Sequence, residues 1–343
     1  MINTVILTCI GGNLGAENVR LCQQAGARVI GVNAASCKAA NSADEFALVP
    51  AGCAPDYVDR MLELVRNHSV DLIIPGSDEE ALTLSRHKPT FEQQGAQIAC
   101  VDIETLDVLN DKGQTYKALA NTGVRLAEWH EADTQADMLD VVDEMIARLG
   151  SVVVKPAEAR GGRGVFVIDR DGPALDTRIG GREIFCNQNS FQHLARIFST
   201  ADFPLIVMER LYPPHHDLDL LAWQGEAIGT VPRKWHQFPN LDHGIEVIEA
   251  PELISMGKEI VRQFNLSWLY DVDLMKNSEG EWRLLEINPR MSGSVSVLGS
   301  LGVNMFEHLL ALANGKKTEF TQPKTGITVA SEHRLIGSRG QVI

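Results

Sequence analysis

Residues 152–168 read VVVKPAEARGGRGVFVI, and this stretch decides the fold that we predict. A β-branched run ends near Lys155 and a second apolar run begins at Val165, which is the pattern of two paired strands. The turn between the two runs contains three glycines, Gly161, Gly162 and Gly164. Because glycine has no Cβ atom, the backbone N–H groups of such a turn can approach an anion closely. We therefore predict a hairpin whose tip folds over a polyphosphate.

Positive side chains strengthen this interpretation of the hairpin. Arg160 and Arg163 lie in the turn, and Lys155 would reach the same anion from the strand. The glycines taken alone fit a long hairpin with an exposed tip equally well. A Walker-type P-loop is disfavoured, because that motif needs Gly-Lys-Ser/Thr at the start of a helix, whereas here the lysine precedes the glycines.

A second hairpin is predicted in residues 269–290, LYDVDLMKNSEGEWRLLEINPR. Glu286 and Asn288 are two positions apart on one strand, so their side chains share a face. Pairing across the turn at 277–280 can bring Asp273 beside them. Oxygen donors alone suit Mg²⁺ better than zinc. The alternative is a hairpin with one polar face, although these polar residues interrupt otherwise apolar strands.

Together these stretches resemble the ATP-grasp superfamily, in the branch of the carbamoyl phosphate synthetase large subunit, biotin carboxylase and amino-acid ligases. Besides Lys155 and its glycine turn, the resemblance rests on Met-Glu-Arg-Leu at 208–211 and Leu-Glu-Ile-Asn-Pro-Arg at 285–290, and it covers nearly the whole chain. It implies an α/β fold of α+β lobes. A Rossmann-like pre-ATP-grasp domain would occupy residues 1–110, a lid subdomain 111–204 and a C-terminal subdomain 205–343.

The resemblance also assigns candidate site residues. Magnesium would be held by Asp273, Glu286 and Asn288, and the catalytic side chains would be Arg290, Arg233 and Lys155. The nucleotide would be held by Lys112, Lys155, Gly161, Gly162, Arg163, Gly164, Glu209, Arg210, Leu211 and Asp217. Asp217 takes the ribose role because His215 stands where many relatives have glutamate. Without the resemblance, Lys112 would be interpreted as an exposed helix residue. Arg233 and Lys234 end a predicted strand, where two cations could hold a substrate carboxylate or the transferred phosphate, or form an exposed strand edge.

The N-terminal residues predict a βαβ unit, with strands over 3–9 and 28–33. It lacks the dinucleotide fingerprint, because Ile10 replaces the first glycine and Asn33 replaces the acid that would end the second strand. Asp78 and Glu79 follow the strand at 71–74, where open α/β sheets bind ligands, so we expect them to face a substrate amine. Capping of the next helix by Ser77 or Asp78 explains the acidic run equally well.

Composition sets the broad limits. A chain of 343 residues with a formal charge of −14 fits two or three globular domains and argues against a nucleic-acid partner. The six cysteines are scattered, as expected of reduced thiols in a cytoplasmic protein. No run of eighteen apolar residues and no basic leader occurs, so we predict no membrane association.

The predicted activity is ATP-driven ligation of a carboxylate to an amine through an acyl phosphate. ATP and Mg²⁺ are the expected cofactors, with Mn²⁺ as an alternative metal, and amino acids are the expected substrates. Relatives are commonly homodimers, so a homodimer is expected. Three rivals remain: a bicarbonate-using enzyme like carbamoyl phosphate synthetase, an ATP-binding protein without catalysis, and a nicotinamide-dependent oxidoreductase built on the N-terminal glycines.

Overall fold

The computed structural model describes residues 1–158, 164–176 and 183–332 of the chain, and its strands form three sheets. The first is parallel, in the order β3-β2-β1-β4-β5. Its elements are β1 (Thr4–Leu7), α1 (Gly15–Gln24), β2 (Arg28–Asn33), a 3₁₀ helix (Lys38–Ser42), β3 (Glu45–Leu48), α2 (Tyr57–His68), β4 (Leu72–Ile74), α3 (Asp78–Arg86), α4 (Lys88–Gln93), β5 (Gln97–Ile98) and α5 (Ile103–Asn110). The βαβ unit predicted from apolar, β-branched runs is confirmed.

The glycine turn after β1 is closed by a side chain of the second strand. Asn33 Oδ1 accepts a hydrogen bond from the Gly11 backbone N–H at 3.1 Å, and a Cβ atom on Gly11 would lie 2.8 Å from the Asn33 amide. One backbone donor that a dinucleotide phosphate would need is therefore already bonded.

The second sheet contains the glycine hairpin, and its order is β6-β10-β7-β8-β9. Its elements are α6 (Lys112–Leu119), β6 (Trp129–Ala132), α7 (Gln135–Leu149), β7 (Ser151–Pro156), β8 (Val165–Asp169), β9 (Glu183–Asn187), α8 (Gln188–Leu194), two 3₁₀ helices (Ala195–Ile197 and Thr200–Asp202) and β10 (Leu205–Glu209). β7 and β8 are antiparallel, with Val154 opposite Phe166, as the hairpin prediction requires. The cap of α8 is Asn187, whose side chain accepts a hydrogen bond from the Ser190 backbone N–H.

The third sheet is antiparallel, in the order β15-β14-β11-β12-β13-β16. Its elements are β11 (Tyr212–Trp223), β12 (Glu226–Trp235), a 3₁₀ helix (Leu241–His243), β13 (Ile245–Val247), α9 (Pro251–Gln263), β14 (Trp268–Lys276), β15 (Trp282–Asn288), a 3₁₀ helix (Val295–Leu301), α10 (Met305–Ala313) and β16 (Thr328–Val329). The hairpin predicted in residues 269–290 is present as β14 with β15, and β11 pairs with β12 in the same way.

One strand lies in a different sheet from the one we expected. We placed residue 205 at the start of the C-terminal subdomain, but β10 pairs with β6 and β7 of the second sheet. All five residues of β10 are buried, and a central position between two strands provides that burial. Sheet pairing thus places the change from the second to the third sheet after Glu209, while the three-part division of the chain remains a proposal.

Contacts between the sheets bring their ends to one place. The Tyr116 hydroxyl of α6 donates to the Leu285 carbonyl of β15 at 2.7 Å, and the Leu284 N–H donates to the Arg125 carbonyl at 2.9 Å. Arg290, which follows β15, pairs with Asp78 at the start of α3. The end of β15 is therefore tied to both the first and the second group of elements.

Among the described residues, no single helix has the length and apolar character needed to cross a membrane; residues 295–301 and 305–313 pass that test only as a pair, bent by 108°.

Candidate active site

The β14–β15 hairpin gathers four polar side chains on one face. Asp273 is paired with Glu286, and Asp271 is paired with Asn288. The Asn288 amide Nδ2 donates to Asp273 Oδ2 at 3.2 Å and lies 3.4 Å from Asp271 Oδ2. The structure thus brings together the three predicted metal ligands. Sequence reasoning missed Asp271, although its position two residues before Asp273 puts it on the same face.

Two lysines face this acidic hairpin. Lys112, the first residue of α6, places its Nζ 3.1 Å from Glu286 Oε2. Lys155 on β7 is 5% exposed, and its Nζ has no hydrogen-bond partner among the described residues. Burial first, and then the nearby Lys112, lower the pKa of Lys155 to about 7, against the opposing attraction of Glu286 and Asp273. A buried ammonium without an acceptor costs about 1–3 kcal/mol or more. The position therefore fits an anionic ligand.

The carboxylates respond to the same surroundings. Burial raises the pKa of Asp273 to about 6, although His215 opposes this shift. Burial also acts to raise the pKa of Glu286, but Lys112 and Lys155 together hold it below its ordinary value. Glu286 is consequently the site carboxylate that neighbouring cations keep ionised, as a metal ligand must be.

Arg290 joins the hairpin to the N-terminal elements. Its Nη1 lies 3.2 Å from Asp271 Oδ2, and its Nε lies 3.2 Å from Asp78 Oδ1. Asp78 is the first residue of α3, whose N-cap is Ser77, as one of our two interpretations of the acidic run predicted. Two carboxylates, one on α3 and one on β14, thus fix the orientation of the guanidinium at the rim of the acidic hairpin.

Arg233 lies in a buried cluster of acidic and hydroxyl groups. Its side chain is fully buried, and its guanidinium contacts Asp217 at 3.0 Å, Asp219 at 2.7 Å and the Ser294 hydroxyl at 2.8 Å. The alternation of β12 points Arg233 inward and Lys234 outward, where Lys234 pairs with Glu246. Arg233 therefore holds two aspartates in this structure, and its predicted catalytic role stays a prediction.

Asp217, the residue predicted to bind the ribose, belongs to the same buried cluster. It is 3% exposed, and its Oδ2 accepts a hydrogen bond from Trp235 Nε1 at 2.7 Å in addition to the Arg233 contact. Its Oδ1 lies 3.3 Å from His215 Nε2, and the same nitrogen lies 3.1 Å from Asp273 Oδ1. Although burial lowers it, hydrogen bonds to Asp217 and Asp273 raise the pKa of His215 to about 10.

The remaining predicted nucleotide residues lie at the end of β10 and around the glycine turn. Glu209 pairs with Arg283 at 3.3 Å, Arg210 pairs with Asp169 at 2.7 Å, and Leu211 is buried. These side chains brace the junction between sheets, as expected if only the backbone contacts a base. Gly164 has a φ of +71°, a conformation that favours glycine. Gly161, Gly162, Arg163 and the neighbouring Arg160 lie outside the described residues.

Two family models match the chain. Residues 202–335 match the family described as ATP-grasp in the biosynthetic pathway with Ter operon, and residues 6–99 match the PylC-like N-terminal domain. The chain is also 20% identical over 282 residues to the arginine-specific carbamoyl phosphate synthase large chain of Bacillus subtilis (strain 168). That alignment covers 78% of this chain and only 25% of the curated relative.

Solved structures share the fold. The biotin carboxylase domain of Hydrogenobacter thermophilus 2-oxoglutarate carboxylase, a dimer in complex with MgADP, ADP and bicarbonate, has a TM-score of 0.67 at 15% identity, over 94% of this chain and 72% of that one. An L-amino acid ligase from Bacillus licheniformis has a TM-score of 0.62 at 14% identity, over 90% and 73% of the two chains. At these identities the likeness establishes the fold, and it confirms the fold that we predicted.

Proposed function

We propose that this chain, which carries an ATP-grasp domain behind a PylC-like N-terminal domain, is an ATP-dependent carboxylate–amine ligase that releases ADP and phosphate. The observation that carries the proposal is the buried Lys155 Nζ, which has no hydrogen-bond partner among the described residues and is attracted by Glu286 and Asp273 across one site. An anion that brings its own divalent cation satisfies both sides of such a site. Nucleoside triphosphates bind proteins in that form.

The site residues fit both ATP and magnesium. Lys155 and Lys112 would bind phosphate oxygens, and the backbone of the turn that ends at Gly164 would cover them. Asp273, Glu286 and Asn288 supply the oxygen donors that Mg²⁺ prefers. When bound there, magnesium would neutralise phosphate charge. The lysines and Arg290 hold the groups in position, which is the main demand of phosphoryl transfer on a protein.

In the proposed reaction, an oxygen of the substrate carboxylate attacks the γ-phosphorus of ATP. The bond to ADP breaks, and an acyl phosphate forms. The amine then attacks the acyl carbon, phosphate leaves, and the amine gives up a proton to form the amide. Arg290, oriented by Asp78 and Asp271, would stabilise the negative charge of the transferred phosphoryl group through its planar set of donors.

Amino acids are the substrates that we expect for both halves of the reaction. The acidic run at the start of α3 lies beside Arg290, where an ammonium group would find negative charge. Asp78, which pairs with Arg290, and the exposed Glu79 both contribute to this charge. The likeness to an L-amino acid ligase supports this choice. A cytoplasmic location and a homodimer also remain predictions.

A bicarbonate-using enzyme is the second candidate. It is favoured by the similarity to a carbamoyl phosphate synthase chain and by a solved neighbour in complex with bicarbonate. In that reaction bicarbonate would replace the substrate carboxylate as the phosphoryl acceptor.

The test is an ADP-release screen over pairs of amino acids, with and without bicarbonate, with products identified by mass spectrometry. We expect release that depends on an acid–amine pair and yields a product lighter than the pair by one water. Glu286→Gln should abolish it, whereas Glu279→Gln, in the exposed turn of the same hairpin, should retain it. Release that needs bicarbonate would favour the second candidate. Tight ATP binding without turnover by any pair would contradict both.

A further inference from the structure

A second cluster of metal-capable side chains lies behind the proposed magnesium site. His215 Nε2, one oxygen of Asp217 and one oxygen of Asp273 lie within 4.8 Å of one another, and all three residues are buried. We propose that His215, Asp217 and Asp273 form a site for one divalent first-row transition metal ion, distinct from the oxygen-only site of Asp273, Glu286 and Asn288. This goes beyond the proposed ligase reaction, which does not use His215.

The spacing of the ligand atoms suits a small divalent ion. His215 Nε2 lies 3.1 Å from Asp273 Oδ1 and 3.3 Å from Asp217 Oδ1. Ligand bonds of about 2.0–2.2 Å at roughly right angles or wider place neighbouring donors roughly 3 Å apart, so little movement is required. A single atom at the centre of these three donors would contact all of them.

Outer hydrogen bonds already orient both carboxylates. Asp217 Oδ2 is held by Trp235 Nε1 at 2.7 Å and by Arg233 at 3.0 Å, which turns Oδ1 toward His215. Asp273 Oδ2 is held by Asn288 Nδ2 at 3.2 Å, which likewise turns Asp273 Oδ1 toward His215. Such second contacts typically accompany metal ligands and fix their direction. The His215 ring is fixed as well, because it stacks on Phe238 with ring centroids 3.9 Å apart.

The charge of the surroundings favours a cation. Four buried aspartates meet only two arginines here, while Glu286 faces its own two lysines; the aspartates are Asp217, Asp219, Asp271 and Asp273, and the arginines are Arg233 and Arg290. With His215 neutral, as a metal ligand must be, the excess is two negative charges, which equals the charge of one divalent ion.

The donor set identifies the class of metal. Imidazole nitrogen is a good ligand for zinc, copper, iron and nickel, whereas Mg²⁺ and Mn²⁺ prefer oxygen ligands. Asp273 belongs to both sites, with Oδ1 toward His215 and Oδ2 toward Asn288. An ion beside His215 would therefore share one carboxylate with the proposed magnesium ion.

The test uses the full chain, freed of metal with a chelator and kept free of nucleotide, so that it does not depend on ligase activity. Co²⁺ is titrated while its visible absorption is followed. We expect one Co²⁺ per chain, an affinity at least about tenfold weaker in His215→Gln, and no change in His243→Gln, an exposed histidine. Glu286→Gln should retain Co²⁺ binding, because it alters only the oxygen-only site.

A measurement on the unaltered chain guards against a variant that fails to fold. Electron spin echo modulation of bound Cu²⁺, added at one equivalent, should show one coordinated imidazole nitrogen. Absence of that nitrogen, no stoichiometric binding of Co²⁺, or equal Co²⁺ affinity in folded His215→Gln would overturn the proposal.

Discussion

At the residue scale, the part of the site that the sequence predicted follows from alternation along strands. Glu286 and Asn288 are two apart on β15, and Asp273 is paired with Glu286, so one face collects them. The sequence did not show that Arg233 is buried. Two adjacent cations end this strand, and which of them points inward depends on which face of β12 is buried. The inward direction of Arg233 is set by Asp217 and Asp219 on the neighbouring strand.

Replacing Arg233 should destabilise the chain far more than replacing its neighbour Lys234. Arg233→Met leaves Asp217 and Asp219 buried without the arginine that pairs with them. Removing one partner of a buried ion pair costs about 3–5 kcal/mol. Lys234→Met removes a half-buried surface pair with Glu246, worth about 0–1 kcal/mol. Urea unfolding of both variants measures the difference. Equal destabilisation would show that Arg233 does not hold the aspartates.

Lys155 should show opposite effects on stability and on nucleotide binding. Lys155→Met removes a buried ammonium that has no acceptor among the described residues, so we expect the free energy of unfolding to stay equal or rise by about 1–3 kcal/mol. ATP affinity in the presence of Mg²⁺ should fall at least about tenfold, since a charged hydrogen bond of about 1.5–3 kcal/mol is lost. Calorimetry gives the affinity.

Lys117→Met is the control for this change, because Lys117 is exposed and pairs only with Glu131 on the surface. An undiminished ATP affinity in Lys155→Met would remove Lys155 from the nucleotide site.

At the element scale, strand and helix bounds were predictable where local patterns are strong. β2 has the bounds that its apolar run predicted. The position of β10 was not predictable, because a strand of four successive apolar residues fits the centre of any sheet. Its neighbours β6 and β7 are chosen by contacts far apart in sequence.

The start of α3 should control the setting of Arg290. Asp78→Asn weakens one of the two ion pairs that orient the guanidinium. We expect kcat for ADP release to fall about tenfold, a loss of about 1.4 kcal/mol in transition-state stabilisation, while the KM for ATP changes little. Asp107→Asn, which weakens an exposed pair with Arg86, should leave both constants unchanged. A rise in KM without a change in kcat would place Asp78 in substrate binding instead.

The contact between β1 and α3 should make stability depend on pH. Glu80 accepts hydrogen bonds from the Thr8 and Ser77 hydroxyls, but its burial raises its pKa. The folded chain therefore holds this proton more tightly than the unfolded chain does. The contribution of Glu80 to the free energy of unfolding should therefore fall as the pH rises. The fall should begin near the ordinary glutamate pKa, about 4.3, and end near the raised pKa of Glu80 in the folded chain.

Glu80→Gln keeps an acceptor for Thr8 and removes the titration, so its urea midpoint should fall less than that of the parent chain over this pH window. Glu104→Gln, a half-exposed glutamate of α5, should behave like the parent. An identical pH profile in Glu80→Gln would contradict the account of this contact.

At the scale of the whole molecule, the site is assembled from all three groups of elements. Asp78 comes from the first, Lys155 from the second, and Glu286 with Arg290 from the third. No local pattern in the sequence encodes these contacts, so only the resemblance to ATP-grasp proteins brought Lys155 and Glu286 into one site before the structure did.

A ligand at such a junction should stabilise the whole chain. With Mg²⁺ and ATP at 100 times the dissociation constant, the free energy of unfolding should rise by about 2.7 kcal/mol. Thermal unfolding should show this increase in the parent chain and in Glu279→Gln, and little or none in Glu286→Gln. Equal stabilisation of the parent chain and of both variants would place the nucleotide elsewhere.

The most direct test of the central claim is a crystal structure of the chain with Mg²⁺ and a non-hydrolysable ATP analogue. We expect the triphosphate between Lys155 and the β14–β15 hairpin, with phosphate oxygens bonded to Lys155 Nζ and the metal on Asp273, Glu286 and Asn288. A nucleotide bound at the N-terminal glycine turn, with Lys155 still lacking an acceptor, would contradict the account.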